Sequence, residues 1–368
     1  MWSMEKKICV YAIAKNESKF VERWFDSVKE ADYVCVLDTG STDDTASKLK
    51  SLGAIVKEKT YKTFRFDEAR NDSMELIPEG AEICVCVDLD EMFVSGWSKI
   101  LKDNWHEGVG RARYRYTWNF NPDGSEGIVF MADKIHKKGL FKWTHPVHEV
   151  LTETTNEKYD TISLPQIQLN HHADNTKSRS NYLPLLEMSV AEDPTDDRNM
   201  HYLGREYMFH GEYEKAIETL KRHLSLPRAT WNEERSASLR YIANCYKQLK
   251  KPELQEEYLL KAIIECNEVR EAYFELALMY FDEGNYLKSA FVYEEMLKIK
   301  NRQLNYMSSP VCWGSLPYDY LSLCYYNLGL YKKAIATVQQ AIALSDEPRL
   351  KENLAIFVEE LNKHNQIL

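Results

Sequence analysis

Residues 83–91 read ICVCVDLDE, and this stretch is the strongest indication of the fold of the first half of the chain. Its apolar part, 83–87, is rich in valine and cysteine and too short for an ordinary helix. Such a run predicts a central strand of a mostly parallel sheet, buried on both faces. Because strand side chains alternate, Asp88 and Asp90 are expected on the same side, at the carboxyl end where open α/β sheets bind ligands.

Two carboxylates in this arrangement fit a divalent metal ion. Hard oxygen ligands favour Mg²⁺ or Mn²⁺, and a metal held by Asp88 and Asp90 keeps coordination positions for phosphate oxygens. A lone Asp-x-Asp is also common in solvated acidic turns, but the buried strand before it favours the metal interpretation. The sequence therefore predicts a metal site that holds a diphosphate.

Up to about residue 180, short apolar runs alternate with helical or irregular stretches. Strands are predicted at 8–13, 33–37, 55–58, 83–87 and 110–118, with helices at 19–29 and 44–52. This order predicts an α/β domain with right-handed crossovers. The pattern breaks within 193–198, which predicts one domain over 1–192 and a second over 193–368.

Composition limits the function classes. The chain has 368 residues, enough for two domains, and its net charge of −10 argues against nucleic acid as a ligand. No apolar stretch approaches the roughly 20 residues of a membrane span, and no signal peptide is evident, so a cytoplasmic location without an integral membrane segment is expected. The eight cysteines include no CxxC pair, which favours reduced core residues over zinc or disulfides.

The second half repeats a pattern of two helices around a short turn. The turns fall at Gly211, Lys250, Gly284 and Gly329, so that successive turns are 39, 34 and 45 residues apart. These units resemble tetratricopeptide repeats, whose period is about 34 residues. Small residues after three of the turns allow close helix packing; they are Ala216, Ser289 and Ala334. The aromatic stripes in these helices are interpreted as core, without a catalytic role.

The longest interval contains an insertion, 301–317, which carries Trp313 on a predicted loop. A terminal helix over 349–363 is expected to cap the stack.

Further polar residues point toward the same end of the predicted sheet. In LDTGSTDDT, residues 37–45, Gly40 permits a tight turn and Asp38 can accept hydrogen bonds from a ribose or a base, although a plain capped βα loop is an equal alternative. Arg70, in the DEARN segment, is a cation between two acidic strand ends. It can pair with a phosphate or with Asp38 and Asp88, and a surface salt bridge is the alternative.

Four motifs, in this order, resemble a family 2 glycosyltransferase of the GT-A fold: AKNE at 14–17, DTGSTDDT at 38–45, F-x-x-ARN at 66–71 and VDLDE at 87–91. The VHE segment at 147–149 and the segment 171–187 sharpen the resemblance to the branch in which tetratricopeptide repeats follow the catalytic domain. That branch includes bacterial peptide S-glycosyltransferases of bacteriocin pathways and enzymes that build lipopolysaccharide and other surface glycans. The resemblance implies a Rossmann-like GT-A domain and inverting transfer from a nucleotide-diphosphate sugar, with a UDP-sugar expected.

The resemblance also implies site residues. The donor would be bound by Ala12, Ala14, Asn16, Glu17, Asp38, Gly40, Arg70, Asp88 and Leu89. Asp88 and Asp90 would hold metal and diphosphate, and His171 would complete the metal shell, with His172 as its alternative. Two departures from the family pattern are Leu89, where many relatives have a small residue, and Thr144 with His145, where relatives have histidine and glycine. The second departure lies near the presumed acceptor side, so acceptor specificity is not inherited.

Displacement of a nucleoside diphosphate also needs a base for the acceptor proton, for which Glu149, Glu91 and His148 are the candidates. The leading hypothesis is an active glycosyltransferase that modifies Cys or Ser of a peptide or protein, with repeats that bind the acceptor or form a homodimer. A glycan acceptor in surface-glycan synthesis is the first alternative. A non-catalytic repeat scaffold is the second, and a nucleotidyltransferase the third, although the glycine-rich basic loop of such enzymes is missing.

Overall fold

The computed structural model describes residues 6–121, 123–174 and 182–367. The chain divides into two compact units, Met1–Glu192 and Asp193–Leu368. Among the described residues, no helix combines the length and the apolar character needed to cross a bilayer.

The first unit contains a mixed sheet with helices. Its strands are β1 Ile8–Ala14, β2 Tyr33–Asp38, β3 Ile55–Glu58, β4 Ile83–Cys86, β5 Glu91–Phe93, β6 Val109–Thr117, β7 Val129–Lys137, β8 Phe141–Thr144, β9 Val150–Glu153 and β10 Asp160–His171. Its helices are α1 Val21–Val28, α2 Thr45–Ser51, α3 Phe66–Met74, α4 Trp97–Asn104 and α5 Tyr182–Glu192. Eight strands form one sheet in the order β3-β2-β1-β4-β7-β6-β10-β5, and β8 pairs with β9 separately.

Strand direction divides this sheet into two halves. The strands β3, β2, β1 and β4 are parallel, as the apolar runs predict. Beyond β4, β7 is antiparallel to both β4 and β6, and β5 is antiparallel to β10, while β6 and β10 are parallel. The expectation of a mostly parallel sheet therefore applies only to the first half. The reason is that β6 and β7 form a hairpin, and a short connection requires antiparallel pairing.

The central strands are buried on both faces. Every residue of β4 is buried, and so are six of the seven residues of β1. On one face, Cys9, Cys84 and Cys86 pack with Tyr11 and Trp143. All eight cysteines of the chain are free thiols, and seven of them are buried. The burial of these seven cysteines agrees with the expectation that they act as small core residues.

The second unit is helical. It contains α6 Asp197–Phe209, α7 Tyr213–Ser225, α8 Asn232–Gln248, α9 Pro252–Glu265, α10 Glu271–Asp282, α11 Tyr286–Lys298, α12 Leu316–Asn327, α13 Tyr331–Leu344 and α14 Pro348–Ile367, and a short 3-10 helix over Pro310–Cys312. The first eight helices form four antiparallel pairs, and α14 packs on α13. The turn residues Gly211, Lys250, Gly284 and Gly329 all have positive φ, between 56° and 77°. Three small residues after the turns are fully buried, as the repeat pattern predicts: Ala216, Ser289 and Ala334.

The first helices of the pairs form one layer. Helix α6 contacts α8, α8 contacts α10, and α10 contacts α12, whereas the second helices mainly contact the first helices beside them. In a stacked-repeat structure, such contacts identify the inner side of the curve, where ligands are usually bound. We call the surface of α6, α8 and α10 the inner face.

Candidate functional site

The carboxyl ends of three neighbouring parallel strands bring the predicted polar residues to one edge of the sheet. Since β2, β1 and β4 are adjacent, Asp38 at the end of β2, Asn16 just after β1 and Asp88 just after β4 follow side-by-side strands. This is the edge at which α/β sheets bind ligands.

The loops after β1 and β2 are fixed to each other by hydrogen bonds. The Asn16 side-chain oxygen accepts from the Thr42 backbone N–H at 2.7 Å, and the Asn16 N–H donates to Ser41 Oγ at 2.8 Å. Asp38 Oδ1 accepts from the N–H groups of Gly40 and Ser41 at 2.9 and 2.7 Å. Its other oxygen, Oδ2, is buried and has no hydrogen-bond partner among the described residues. An unpaired buried acceptor is costly, so Oδ2 is suited to a ligand N–H or O–H.

Other predicted donor-binding residues lie deeper. Ala12, Ala14 and Leu89 belong to the main hydrophobic core, with at most 3% of each side chain exposed. A nucleotide could meet them only through the main chain. Glu17 is also buried, and its N–H donates to Thr45 Oγ1 at 2.8 Å. Gly40 has φ +102°, which favours glycine, and a Cβ atom there would lie 3.1 Å from Thr60.

A buried cation, Arg70, connects two carboxylates. It lies on the buried face of α3, and its guanidinium binds Asp88 through two parallel hydrogen bonds of 2.8 and 3.1 Å. Its Nε donates to Glu149 Oε1 at 2.5 Å, and its Cζ atom lies 5.1 Å from the Trp143 ring centroid. The side chain is only 5% exposed. The sequence left Arg70 to pair with a phosphate or with Asp38 and Asp88, and in the structure it pairs with Asp88. Within the described residues it makes no hydrogen bond to Asp38.

A second cation, Lys134 of β7, extends this network. Its ammonium lies 3.2 Å from Asp88 Oδ2 and 3.2 Å from Glu91 Oε1. Glu91 also accepts from the Tyr116 hydroxyl at 2.7 Å and from the Asp88 N–H at 2.9 Å. Glu91 is only 2% exposed, and both of its carboxylate oxygens accept hydrogen bonds. Its role in this network is therefore to position Asp88 and Lys134. Glu91 is poorly placed to meet an acceptor.

The charges in this network shift one another's pKa values. Burial alone would raise the pKa of Asp88, but the positive charges of Arg70 and Lys134 outweigh it and hold that pKa well below its usual range. Burial raises the pKa of Glu91, and Lys134 only partly opposes it. For Lys134, burial would lower the pKa, but Asp88 and Glu91 outweigh it and raise the value.

Glu149 and His148 follow β8 in the short loop before β9. The Glu149 side chain is 12% exposed and is held by Arg70. His148 adopts φ +52°, which is unusual for a non-glycine residue, and its ring meets Tyr182 edge-on at 5.8 Å. Of the three candidate bases, Glu149 is therefore more accessible than Glu91 and belongs to the same charge network as Asp88.

Asp90 and His171 form a separate pair. His171 Nε2 lies 3.4 Å from Asp90 Oδ2, and Nδ1 faces the Trp118 carbonyl oxygen at 2.8 Å. Burial lowers the pKa of His171, but the Asp90 carboxylate outweighs it and raises the value. His172 is held by its backbone N–H, which donates to the Asp90 carbonyl at 2.7 Å, and its ring stacks on Phe120. Its side chain therefore points elsewhere, and His171 is the better-placed ligand.

The three predicted metal ligands therefore have different partners in the structure. Asp90 and His171 face each other, whereas Asp88 is bound by two cations. Within the described part of the chain, no three His, Cys, Asp or Glu side chains have the spacing of a metal site. An imidazole fixed through Nδ1 to a carbonyl, with a carboxylate at Nε2, fits part of an octahedral shell. The remaining ligands would have to be water or phosphate oxygens.

Sequence reasoning missed Lys134 and Tyr116. Both lie on strands of the antiparallel half of the sheet, β7 and β6, and their side chains reach the acidic motif only because β7 pairs with β4. Neither residue belongs to a motif with recognisable spacing, so the sequence contains no signal that could have identified them.

Comparison with known proteins defines the class of the second unit. Residues 271–303 and 320–348 match the tetratricopeptide-repeat family model. These ranges cover the third and fourth helix pairs, so the second unit contains tetratricopeptide repeats. Among solved structures, the MamA protein is similar over 45% of this chain and 82% of its own, with 21% identity and a TM-score of 0.36.

Two curated relatives match shorter parts of the chain. Lipopolysaccharide assembly protein B of Escherichia coli (strain K12) is 34% identical over 100 residues, which is 27% of this chain and 24% of that protein. An uncharacterized glycosyltransferase of Rickettsia bellii (strain RML369-C) is 46% identical over 59 residues, which is 16% of this chain and 20% of that protein. The chain thus matches about a quarter or less of the length of these relatives.

Proposed function

We propose that this protein is a glycosyltransferase that moves a sugar from a nucleotide-diphosphate donor to an acceptor, with a GT-A catalytic domain over residues 1–192. The observation that carries the proposal is the cluster of charges after β4, where buried Arg70 and half-buried Lys134 flank Asp88 next to the Asp90–His171 pair. A nucleoside diphosphate leaves with negative charge, and fixed cations stabilise such charge. The partial match to a protein named as a glycosyltransferase supports the same reaction class.

The loops after β1 and β2 would bind the nucleoside. Asp38 Oδ2 is a buried acceptor without a partner among the described residues, and the imide N–H of uracil is a suitable donor for it. Asn16, held by Ser41 and Thr42, would shape the adjoining wall. A UDP-sugar is therefore the expected donor, although guanine also offers a ring N–H.

Asp90 and His171 would hold Mg²⁺ or Mn²⁺, and such an ion, when bound, supplies Lewis-acid stabilisation of the leaving diphosphate. The chain contributes the two aligned ligand atoms and the hydrogen bond from His171 to the Trp118 carbonyl that fixes the ring. Asp88 would act differently from Asp90, because it holds Arg70 and Lys134 in position beside the diphosphate.

Glu149 would take or orient the acceptor proton as the acceptor attacks the anomeric carbon from the face opposite the leaving group, which inverts the configuration. Its contact with Arg70 couples the proton acceptor to the cation that would face the diphosphate. If the acceptor is a cysteine thiol, the demand on the base falls, since a few per cent of an ordinary thiol is ionised near neutral pH. His148, in the same loop, would lie closer to the diphosphate.

The acceptor is proposed to be a peptide or protein, modified on Cys or Ser, because tetratricopeptide repeats commonly bind proteins. The short match to a protein named for lipopolysaccharide assembly keeps a surface glycan as the second candidate acceptor. The repeats would serve the acceptor or join two copies of the chain.

The experiment is a donor screen on the full chain. UDP-glucose, UDP-galactose, UDP-N-acetylglucosamine and GDP-mannose are each tested for thermal stabilisation and for hydrolysis, with Mn²⁺, with Mg²⁺ and with chelator. We expect one donor to stabilise the protein only when metal is present, and we expect Asp38→Ala to remove that stabilisation. If no donor binds under any condition, the transferase proposal fails and the scaffold hypothesis takes its place.

A further inference from the structure

The connection between α11 and α12 is much longer than its counterparts. It spans 17 residues, 299–315, whereas the connections from α7 to α8 and from α9 to α10 span 6 and 5 residues. We call 299–315 the insertion loop. A helix pair needs only a short link to the next pair, so the extra residues serve some other purpose than joining the helices.

Tyr306 of the insertion loop is bound in an aromatic pocket on the inner face. Its ring meets Trp231 edge-on at 5.2 Å and lies roughly parallel to Tyr202 at 6.4 Å. The Arg198 guanidinium lies 5.5 Å from the ring centroid and donates to the hydroxyl at 3.3 Å. The hydroxyl donates in turn to Glu234 Oε2 at 2.9 Å. The pocket therefore satisfies both the ring and the polar tip of a tyrosine.

Arg270 and Glu271, at the start of α10, bind the main chain of the same loop. Arg270 donates to the carbonyl oxygens of Ile299, at 2.6 and 3.0 Å, and of Cys312, at 3.1 Å. The Ser309 N–H donates to Glu271 Oε1 at 2.7 Å. Main-chain contacts of this kind do not depend on the loop's side chains, and they are the usual means of holding a peptide segment.

The loop presents Tyr306 at a turn. The Ser308 N–H donates to the Asn305 carbonyl, and the Met307 N–H donates to the Asn305 side chain at 3.0 Å. Tyr306, at the tip of this turn, makes the side-chain contacts of the loop with α6 and α8, and Trp313, near the end of the loop, stacks on Arg270, whose Cζ lies 4.0 Å from the ring centroid. Leu304, close to Tyr306 in the sequence, is 53% exposed and adds little.

We propose that the inner face is a binding site for a peptide segment that presents a tyrosine at a turn, and that the insertion loop occupies this site as an internal ligand. The pocket of Arg198, Tyr202, Trp231 and Glu234 recognises the tyrosine, and Arg270 with Glu271 holds the main chain. An external peptide of this chemistry binds when it displaces the loop. The proposal does not depend on the transferase activity.

The test uses the loop sequence itself as a probe supplied in trans. A fluorescein-labelled synthetic peptide of residues 299–313 is titrated into the full-length protein, either wild type or Tyr306→Ala, and anisotropy is measured. In the wild type the covalently attached loop competes at an effective concentration near the millimolar range. We expect Tyr306→Ala to bind the peptide with a Kd at least ~10-fold lower than the wild type.

Three controls isolate the tyrosine pocket. A peptide with the tyrosine replaced by alanine should bind neither protein, and adding Trp231→Ala to Tyr306→Ala should remove peptide binding. Tyr331→Ala is the matched tyrosine control, because Tyr331 lies at the start of α13 against Tyr326 and His364. This variant should bind the peptide as weakly as the wild type does.

A second measurement keeps the proposal testable if Tyr306→Ala does not fold. In the wild type, amide hydrogen exchange of residues 300–313 should be faster than that of α8 and α10, and excess unlabelled peptide should accelerate it further. The proposal is overturned if folded Tyr306→Ala binds the peptide no better than the wild type. It is equally overturned if the loop exchanges as slowly as the helices and the peptide has no effect.

Discussion

Each unit buries a network of polar side chains, and the two networks differ in access. In the first unit, Arg70, Lys134 and Glu91 surround Asp88, whose side chain remains 28% exposed. In the second unit, Ser238 Oγ lies 2.7 Å from His201 Nδ1 and 2.9 Å from His223 Nδ1, and His223 Nε2 faces Glu234 at 3.4 Å.

The second network has the order Ser–His–Glu, which in an open cleft would suggest a nucleophile with its base. Both histidines and the serine are fully buried, and Glu234 is 4% exposed. No substrate could reach the Ser238 hydroxyl, so the serine and the two histidines serve the packing of α6, α7 and α8, while Glu234 also accepts a hydrogen bond from Tyr306 of the insertion loop. Residue types and hydrogen-bond order therefore do not define a site by themselves. The charged residues of the first unit form a candidate functional site because they cluster at strand ends and reach solvent.

The largest expected effect is on Asp90, the residue of the acidic motif that pairs with His171. Asp90→Ala should lower donor turnover by about 10³-fold or more, equivalent to about 4 kcal/mol of transition-state stabilisation, because His171 alone cannot hold a divalent ion. Turnover is measured with the best donor at saturating metal. Asp103→Ala, an exposed acid paired only with Lys99, is the control. Undiminished turnover of Asp90→Ala in excess chelator would remove the metal assignment.

Arg70 tests whether the first network also stabilises its unit. Arg70→Met keeps the length of the side chain but leaves Asp88 and Glu149 without their shared cation, which should destabilise the first unit by about 3 kcal/mol. Differential scanning calorimetry should show one shifted transition. Arg113→Met is the control, since Arg113 is exposed on β6, and it should change the melting temperature little. Equal melting temperatures for both variants would mean that the buried ion pairs contribute no net stability.

A substitution of Glu149 distinguishes a role in proton transfer from a role in positioning Arg70. Glu149→Gln retains size and hydrogen bonding but removes basicity, so turnover should fall by roughly 10²-fold while donor affinity stays nearly unchanged. Both quantities come from steady-state kinetics and a donor-binding titration. If affinity falls in proportion to turnover, Glu149 acts through Arg70 on the diphosphate, and His148 of the same loop becomes the next candidate base.

A substitution in the network of the second unit should lower stability without changing activity. Ser238→Ala leaves His201 and His223 without the hydroxyl that lies between them, which should destabilise the second unit by about 2 kcal/mol. Donor binding and turnover should not change. A variant that keeps full stability but loses activity would show that the sealed cluster has a role beyond packing.

The parts of the fold that depend on local pattern could be predicted, and those that depend on long-range pairing could not. The apolar runs of β1, β2 and β4 can be recognised in the sequence, since a strand buried on both faces must be continuously apolar. Strand β7, VFMADKIHK, mixes charged and apolar residues without clear alternation, so neither the strand nor the role of Lys134 follows from the sequence. Likewise, Trp313 is the residue of the insertion that the sequence singles out. In the structure, Tyr306 makes the contacts with α6 and α8.

The repeats offer the smallest and cleanest test, at the one turn that lacks glycine. Lys250 adopts φ +56°, in the same left-handed region as Gly211, Gly284 and Gly329 at the other three turns. A side chain in this region costs about 1 kcal/mol, so Lys250→Gly should stabilise the second unit by about that amount, less a few tenths for the greater freedom of glycine in the unfolded chain.

Gly284→Lys is the matched reverse exchange, because a Cβ atom at Gly284 meets nothing within 4 Å and only the backbone conformation changes its energy. Calorimetry should show the melting temperature of the second unit rise for Lys250→Gly and fall for Gly284→Lys, while the first unit is unaffected. Two shifts of the same sign would mean that contacts of the Lys250 side chain, and not the backbone, determine the stability of that turn. The four turns would then not be equivalent, despite their shared φ.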